Sequence, residues 1–430
     1  MNRIFLATLF GLLSSLAQAG VNIQNWVAPS GARVYFVESH DLPIVDLQID
    51  FAAGTAYDPA DKAGLAAFTR GLLDAGAGAL DEEAIAERQV DTGAQLGGHT
   101  DLDRSGASLR TLSSAKERNA ALDLMRLLLA RPTFPQAVFE REKGRTIAAI
   151  KESETQPASI AAKRFSKGLY PTHPYGQTAT VESVGRIARD DVANFHRSFF
   201  IASRAVISIV GDLSRAEAEA IAQQLTEGLP TSDNAAVIAP PPAPKAELIR
   251  VNHPSQQSHI QVGMPVLKRG DPDFFPLVVG NYVLGGGGFV SRLMKEVREK
   301  RGYAYSVYSY FQPQQVAGPF QIGLQTKNEQ ADEALKVARE TLAGFLKQGP
   351  TEDELKGAKQ NITDGFVLRL DSNRKILDQV AVIAFYQLPL TYLDDYTKQV
   401  EKVTAQQVRE AFARRVRPDD LVTVVVGGGA

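Results

Sequence analysis

The chain contains no cysteine. Disulfides and thiolate metal sites are therefore excluded. It also has no excess of basic charge. The formal net charge of −2 gives no argument for nucleic acid or an anionic membrane surface as partner. After the N-terminal segment no run of 18 apolar residues occurs, so no transmembrane helix is expected. There is no Gly-x-Ser-x-Gly elbow for a serine hydrolase. The six histidines are His40, His99, His173, His196, His253 and His259, and none is followed four residues later by another. A helix-borne histidine pair for zinc is thus missing. His173 reads as a loop residue in His-Pro-Tyr-Gly, and His99, after two glycines, as a surface or turn residue.

What is present describes a globular protein. With 430 residues, 44% hydrophobic and 22% charged, the chain can build two or three real cores. Residues 1–19 read as a signal peptide: Asn2 and Arg3 open a short polar region, Ile4 to Leu16 is apolar, and Ala17-Gln18-Ala19 is a small-x-small cleavage site. Cleavage after Ala19 would deliver the mature chain to the periplasm of a bacterium. An uncleaved anchor is the alternative.

The mature chain divides into two similar halves, 20–230 and 247–430, joined by a Pro-rich linker over 231–246. Prolines at 240, 241, 242 and 244 make that linker extended, stiff and unsuited to a core. In the first half Val45, Leu47, Ile49 and Phe51 alternate as in a half-buried strand. Helices follow near Ala63–Leu73 and Asp81–Thr92, then a strand near Ser105–Leu112, a run of helices, and a closing strand at Ala205–Val210. The second half repeats the order. Ile260, Val262 and Met264 alternate, a helix near Phe274–Leu284 comes next, and strands at Tyr303 and Phe320–Thr326 precede more helices and a last strand at Leu421–Val426. The expectation is an α+β fold of two homologous units, each a mostly antiparallel sheet backed by helices, enclosing a chamber.

One stretch organises the second half. Gly285, Gly286, Gly287 and Gly288 form a turn that favours positive φ. The spacing of Phe289, Val290, Leu293, Met294 and Val297 predicts an amphipathic helix. Gly302 stands at the helix C-cap, and a tyrosine-rich strand runs to Tyr310. Arg298 in the last turn and Tyr305 early in the strand can meet, as paired donors for a peptide carbonyl. A solvated helix face followed by a core strand is the plainer alternative. If Gly93 and Gly302 are equivalent, Gln89 and Leu96 replace this pair in the first half.

The run GGG…SRL…REKRGYAYSV resembles the second domain of the pitrilysin and mitochondrial-processing-peptidase (insulinase-like) family of zinc metallopeptidases. The resemblance implies that Arg298 and Tyr305 bind substrate backbone beside the scissile bond and that the glycine loop helps hold the substrate chain. Active members carry His-x-x-Glu-His in a run Gly-Leu-Ala-His-Phe-x-Glu-His. The matching residues are Gly64-Leu65-Ala66-Ala67-Phe68-Thr69-Arg70-Gly71. Ala67 and Gly71 replace the histidines, Arg70 the general base, and Ala149, after Phe139-Glu140-Arg141-Glu142-Lys143, the third ligand. Ala and Gly offer no donor atom, and Arg repels a cation. The chain is therefore expected to bind no metal and to cleave nothing alone. Two functions remain open. It is a non-catalytic, substrate-binding subunit whose zinc-bearing homologous partner completes a peptidase, or an inactive structural or peptide-binding scaffold.

Overall fold

The structure is a computed structural model that describes residues 21–231, 237–243 and 245–428. The segment read as a leader lies outside the described residues. The first half runs β1 (Gln24–Val27), β2 (Arg33–Glu38), β3 (Ile44–Phe51), α1 (Leu65–Gly71), the small ribbon β4 (Gly76–Ala77) and β5 (Leu80–Asp81), α2 (Glu82–Thr92), β6 (Gln95–Thr100), β7 (Ser105–Leu112), α3 (Ala115–Ala130), α4 (Gln136–Ser153), α5 (Pro157–Leu169), α6 (Val181–Arg186), α7 (Arg189–Phe199), β8 (Val206–Gly211) and α8 (Arg215–Thr226). The second half runs β9 (Glu247–Val251), β10 (Gln257–Leu267), α9 (Phe274–Asn281), β11 (Ala304–Phe311), β12 (Gly318–Lys327), α10 (Ala331–Gln348), α11 (Glu352–Phe366), α12 (Asn373–Tyr386), α13 (Tyr392–Lys402), α14 (Ala405–Arg415) and β13 (Val422–Val426).

The strand orders are β1-β2-β8-β3-β7-β6 and, read in the matching direction, β9-β13-β10-β12-β11. Apart from the added β1, the two sheets share one topology. In each, one pair is parallel, β2 with β8 and β9 with β13, while the other long strands pair antiparallel. The α+β duplication expected from the strand and helix pattern is what the chain adopts.

The halves are also interlocked. Helix α5 lies on β10 and β13 of the second sheet, and α12 lies on β8 and β3 of the first. Phe165 and Leu169 of α5 share a buried cluster with Val422, Val424 and Val426. Leu377, Val380, Ile383 and Ala384 of α12 join one with Val206 and Val210. This exchange explains why β3 departs from a half-buried strand. Its apolar residues face the first core, yet Asp46, Gln48 and Asp50 are buried as well. Each polar group has a local partner: Arg110 Nε donates to Asp46 at 2.8 Å and Gln48 Nε2 to Asp50 at 2.8 Å. Buried charges left unpaired would cost several kcal/mol, on the order of 3–5.

Polar contacts also tie the halves. Asp103 is fully buried and accepts hydrogen bonds from Tyr175, from Tyr386 Oη at 2.7 Å and from Gln315 N at 2.8 Å. Burial pushes its carboxyl up while the two tyrosine hydroxyls pull it down. The linker departs from expectation at one point. Ile238 is buried with Ala161 and Phe165, and Ala239 O accepts from His173 Nε2 at 2.7 Å. His173 is thus a buried structural residue, and this part of the linker is pinned rather than exposed. Residues 232–236 and 244 lie outside the described residues.

Candidate functional site

The Arg298–Tyr305 pair is assembled from wide helical turns, a glycine cap and a strand bulge. Helix α9 continues into turns closed between residues five apart, with Gly287 N donating to Tyr282 O at 2.8 Å. Met294–Glu299 repeats the geometry, and Lys300 N donates to Lys295 O at 3.0 Å. Such π-type turns are rare and concentrate at functional sites. The regular amphipathic helix expected from Phe289 onward is therefore not formed. Leu293, Met294 and Val297 are buried as expected, but Phe289 and Val290 are 65% and 59% exposed. They lie in the short 3₁₀ turn Gly288–Val290, which extended backbone at Ser291 separates from the wide turn that follows.

The glycine run is also used differently from the expectation. Only Gly288, at φ +59°, needs the left-handed region. Gly285 is required by crowding, because a Cβ there would sit 2.6 Å from Ser309 N; at Gly287 it would meet Tyr282 O at 2.7 Å. Gly286 is crowded in the same way by Asn281. Gly302 fits the C-cap expectation at φ +65°, and Tyr303 N closes the turn on Val297 O at 3.0 Å.

Past this cap, the pairing of β11 with β12 shifts register between Ala304 and Val307. A bulge re-aims side chains. It turns Tyr305 outward to 87% exposure between the buried Ala304 and Val307. The Arg298 guanidinium lies 5.2 Å from the Tyr305 ring centroid and 4.7 Å from that of Phe289. Cation–π contact with two rings holds the charge in place. Arg298 makes no ion pair among the described residues. Strand β11 is the outer strand of its sheet, so its free side offers unpaired backbone groups. Tyr308 and Tyr310 stack at 6.0 Å on the same strand. The chemistry available is an extended peptide lying along β11, with a fixed cation and a phenol beside it.

The corresponding place in the first half is built on α1, α2 and β6. Helix α2 ends at Gly93 in the left-handed region, φ +61°, matching Gly302. Gln89 and Leu96 occupy the places of Arg298 and Tyr305 and line a cavity of about 260 Å³ with Arg70, Leu73, Asp74, Gly97 and Gly98. The Arg70 guanidinium lies on the backbone of Gly98, where a Cβ would fall 2.2 Å from Nη2. Its Nε is buried with no hydrogen-bond partner. Burial pushes this guanidinium below its usual range, and Asp74 pulls it back. Strand β6 and this cavity escaped the residue pattern, since Gln-Leu-Gly-Gly-His-Thr holds two adjacent glycines and only one β-branched residue, Thr100. The equivalence of Gly93 and Gly302 was the signal that could have found them. His99 is neither a turn residue nor freely exposed. It sits on β6 with Nε2 2.9 Å from the buried Asp50 Oδ1.

The residues at the family's metal positions do not fit a zinc ion. Ala67 and Gly71 line a cavity of about 230 Å³ with Glu142 and Thr146 of α4. Ala149 follows Thr146 on the same helical face and is exposed. Glu142 is the one carboxylate lining this cavity, and Arg141 and Arg145 both donate to its Oε1, at 2.7 and 2.8 Å. Among the described residues no group of three or more His, Asp and Glu could hold a metal ion. No helix there is long and apolar enough to cross a membrane.

Comparison with known proteins agrees with this geometry. The family described as peptidase M16 inactive domain matches residues 186–362. A crystal structure of a peptidase M16 inactive domain from Pseudomonas fluorescens is 38% identical, with a TM-score of 0.91 over 95% of this chain and 98% of that one. The non-peptidase homolog YmxG of Helicobacter pylori is 24% identical over 99% of this chain and 98% of its own length. The uncharacterized zinc protease YmxG of Bacillus subtilis is 23% identical over 94% of this chain and 98% of its own. With a shared fold over nearly its whole length and alanine, glycine and arginine where the zinc motif would stand, the chain belongs to the M16 peptidase family, the pitrilysin and mitochondrial-processing-peptidase family its motifs resemble.

Proposed function

We propose that this protein is the non-catalytic, substrate-binding subunit of a heteromeric zinc metallopeptidase of the periplasm. It reaches that compartment through cleavage of residues 1–19. It binds no zinc itself; a homologous subunit carrying His-x-x-Glu-His supplies the metal and the general base. Arg298 and Tyr305, with the loop at Gly285 to Gly288, hold the substrate backbone at the joint site.

The observation that carries this reading is the Arg298–Tyr305 pair. The Arg298 cation lies 5.2 Å from a phenol ring that is itself 87% exposed, and it makes no ion pair among the described residues. Peptide hydrolysis places negative charge on the scissile carbonyl oxygen. A fixed donor facing such charge in a water-excluded site is worth ~2.7–4 kcal/mol. Arginine and tyrosine both donate at neutral pH. A joint site requires a contact on the order of 1,000 Å² or more.

The test is reconstitution. This chain and a His-x-x-Glu-His homologue from the same host are purified separately and mixed. Stable complex formation, with peptide cleavage by the mixture and none by this chain, is expected. Cleavage by the homologue alone at the full rate of the mixture would overturn the proposal.

A further inference from the structure

The cavity headed by Arg70 is unexplained by the Arg298–Tyr305 site, which lies in the other half. Three features of it point to one ligand chemistry. The first is charge. Arg70 makes no ion pair among the described residues, and its Nε is buried without a hydrogen-bond partner. A half-buried cation of this kind calls for an anion. The second is the wall. Leu73, Leu96, Met125, Leu128 and Leu129 supply its apolar part and Arg70, Asp74 and Gln89 its polar part, and the charge of Asp74 opposes a dianion such as phosphate more strongly than a singly charged group. At about 260 Å³ it falls just below the ~300–1,000 Å³ of small-molecule sites, room for a single residue. The third is the edge. Strand β6 is the outer strand of its sheet, with its backbone groups unpaired on that side, and its Gly97 and Gly98 line the cavity.

A single carboxylate joined to one apolar side chain and continuing as an extended backbone is the C-terminal residue of a peptide. We propose that the Arg70 cavity binds the C-terminus of a peptide. The α-carboxylate pairs with the Arg70 guanidinium, the last side chain fills the apolar wall, and the preceding residues run along the free edge of β6. The replacement of the general base by arginine thus creates an anion-reading site where a hydrolytic one would stand. This inference holds whether or not a zinc-bearing partner exists, and its test uses this chain alone.

The experiment is fluorescence anisotropy on the full mature chain. The probes are an N-terminally labelled pentapeptide ending in leucine with a free carboxylate and the same peptide amidated. The free acid is expected to bind at least tenfold more tightly than the amide. Arg70→Gln should abolish that difference, with circular dichroism confirming the fold. If Arg70→Gln does not fold, the acid–amide ratio on the parent chain decides. Equal binding of acid and amide overturns the proposal. So does an acid preference that survives in folded Arg70→Gln, or no binding of the acid at millimolar concentration. Decanoate binding without peptide binding would assign the cavity to fatty acids and overturn it too.

Discussion

Two helix–cap–strand units stand at equivalent places in the two halves, and they differ in what they expose. In the second half, a 3₁₀ turn, a wide turn and a strand bulge place Phe289, Arg298 and Tyr305 outward at a free sheet edge. In the first, Leu96 turns inward and Arg70 lies over Gly98 at the mouth of a cavity. The same topology thus presents a projecting donor pair on one side and a recessed cation on the other. The sheet supplies the edge in both cases; a few residues at the cap and the bulge decide whether it projects or recedes.

The largest change would come from reversing the first-half replacements. Ala67→His, Arg70→Glu, Gly71→His and Ala149→Glu together should give one zinc per chain at micromolar Kd or better, a gain of about 8 kcal/mol. The parent should hold none after dialysis, as read by metal analysis. No zinc in the folded variant would mean that α1 and α4 no longer oppose each other as the metal requires.

The cohesion of the two halves rests on the exchanged helices. Phe165→Ala on α5 should cost about 3–5 kcal/mol. Val380→Asp on α12, which buries an unpaired charge, should cost at least as much. Because each helix covers the other half's sheet, both variants should lower the midpoint of one transition in denaturant. Two separate transitions would mean that the halves are independent.

A smaller effect distinguishes α1. Asp58 accepts from Gly64 N and Ala66 N at 2.7 Å each and anchors the start of the helix. Burial pushes its carboxyl up to about 7, against the three backbone N–H groups that pull it down. The folded chain then holds this proton between pH ~4 and ~7 while the unfolded chain releases it. Stability is full below the unfolded value and is lost as pH rises through about 7, by at most ~4 kcal/mol. Asp58→Asn should flatten that slope in a series of melting temperatures against pH. An unchanged slope would place the titration elsewhere.

Much of this was readable from residue pattern. Val45, Leu47, Ile49 and Phe51 announced a strand, Gly93 and Gly302 announced helix ends, and Arg298 with Tyr305 announced a meeting of side chains. What escaped depended on distant chain. The burial of Asp46 and Asp50 follows from α12, more than 300 residues later. The docking of Ile238 depends on α5. The outward turn of Phe289 and Val290 accompanies a short 3₁₀ turn ended by extended backbone at Ser291, which hydrophobic spacing at 3.6 residues cannot register. Strand β6 escaped because two adjacent glycines hide a strand whose partner, β7, alone holds it.

The central claim is that the second-half pair works on a partner's substrate. It is tested most directly by Tyr305→Phe and Arg298→Ala in the assembled complex, with peptide cleavage as the readout and co-elution as the check on assembly. Tyr305→Phe removes one hydroxyl with little change in packing, and Arg298→Ala removes the charge and its contacts with two rings. Each should lower the rate at least tenfold, about 1.4 kcal/mol, with assembly unchanged. Full activity in both variants, with the complex intact, would contradict the account and leave the chain a scaffold.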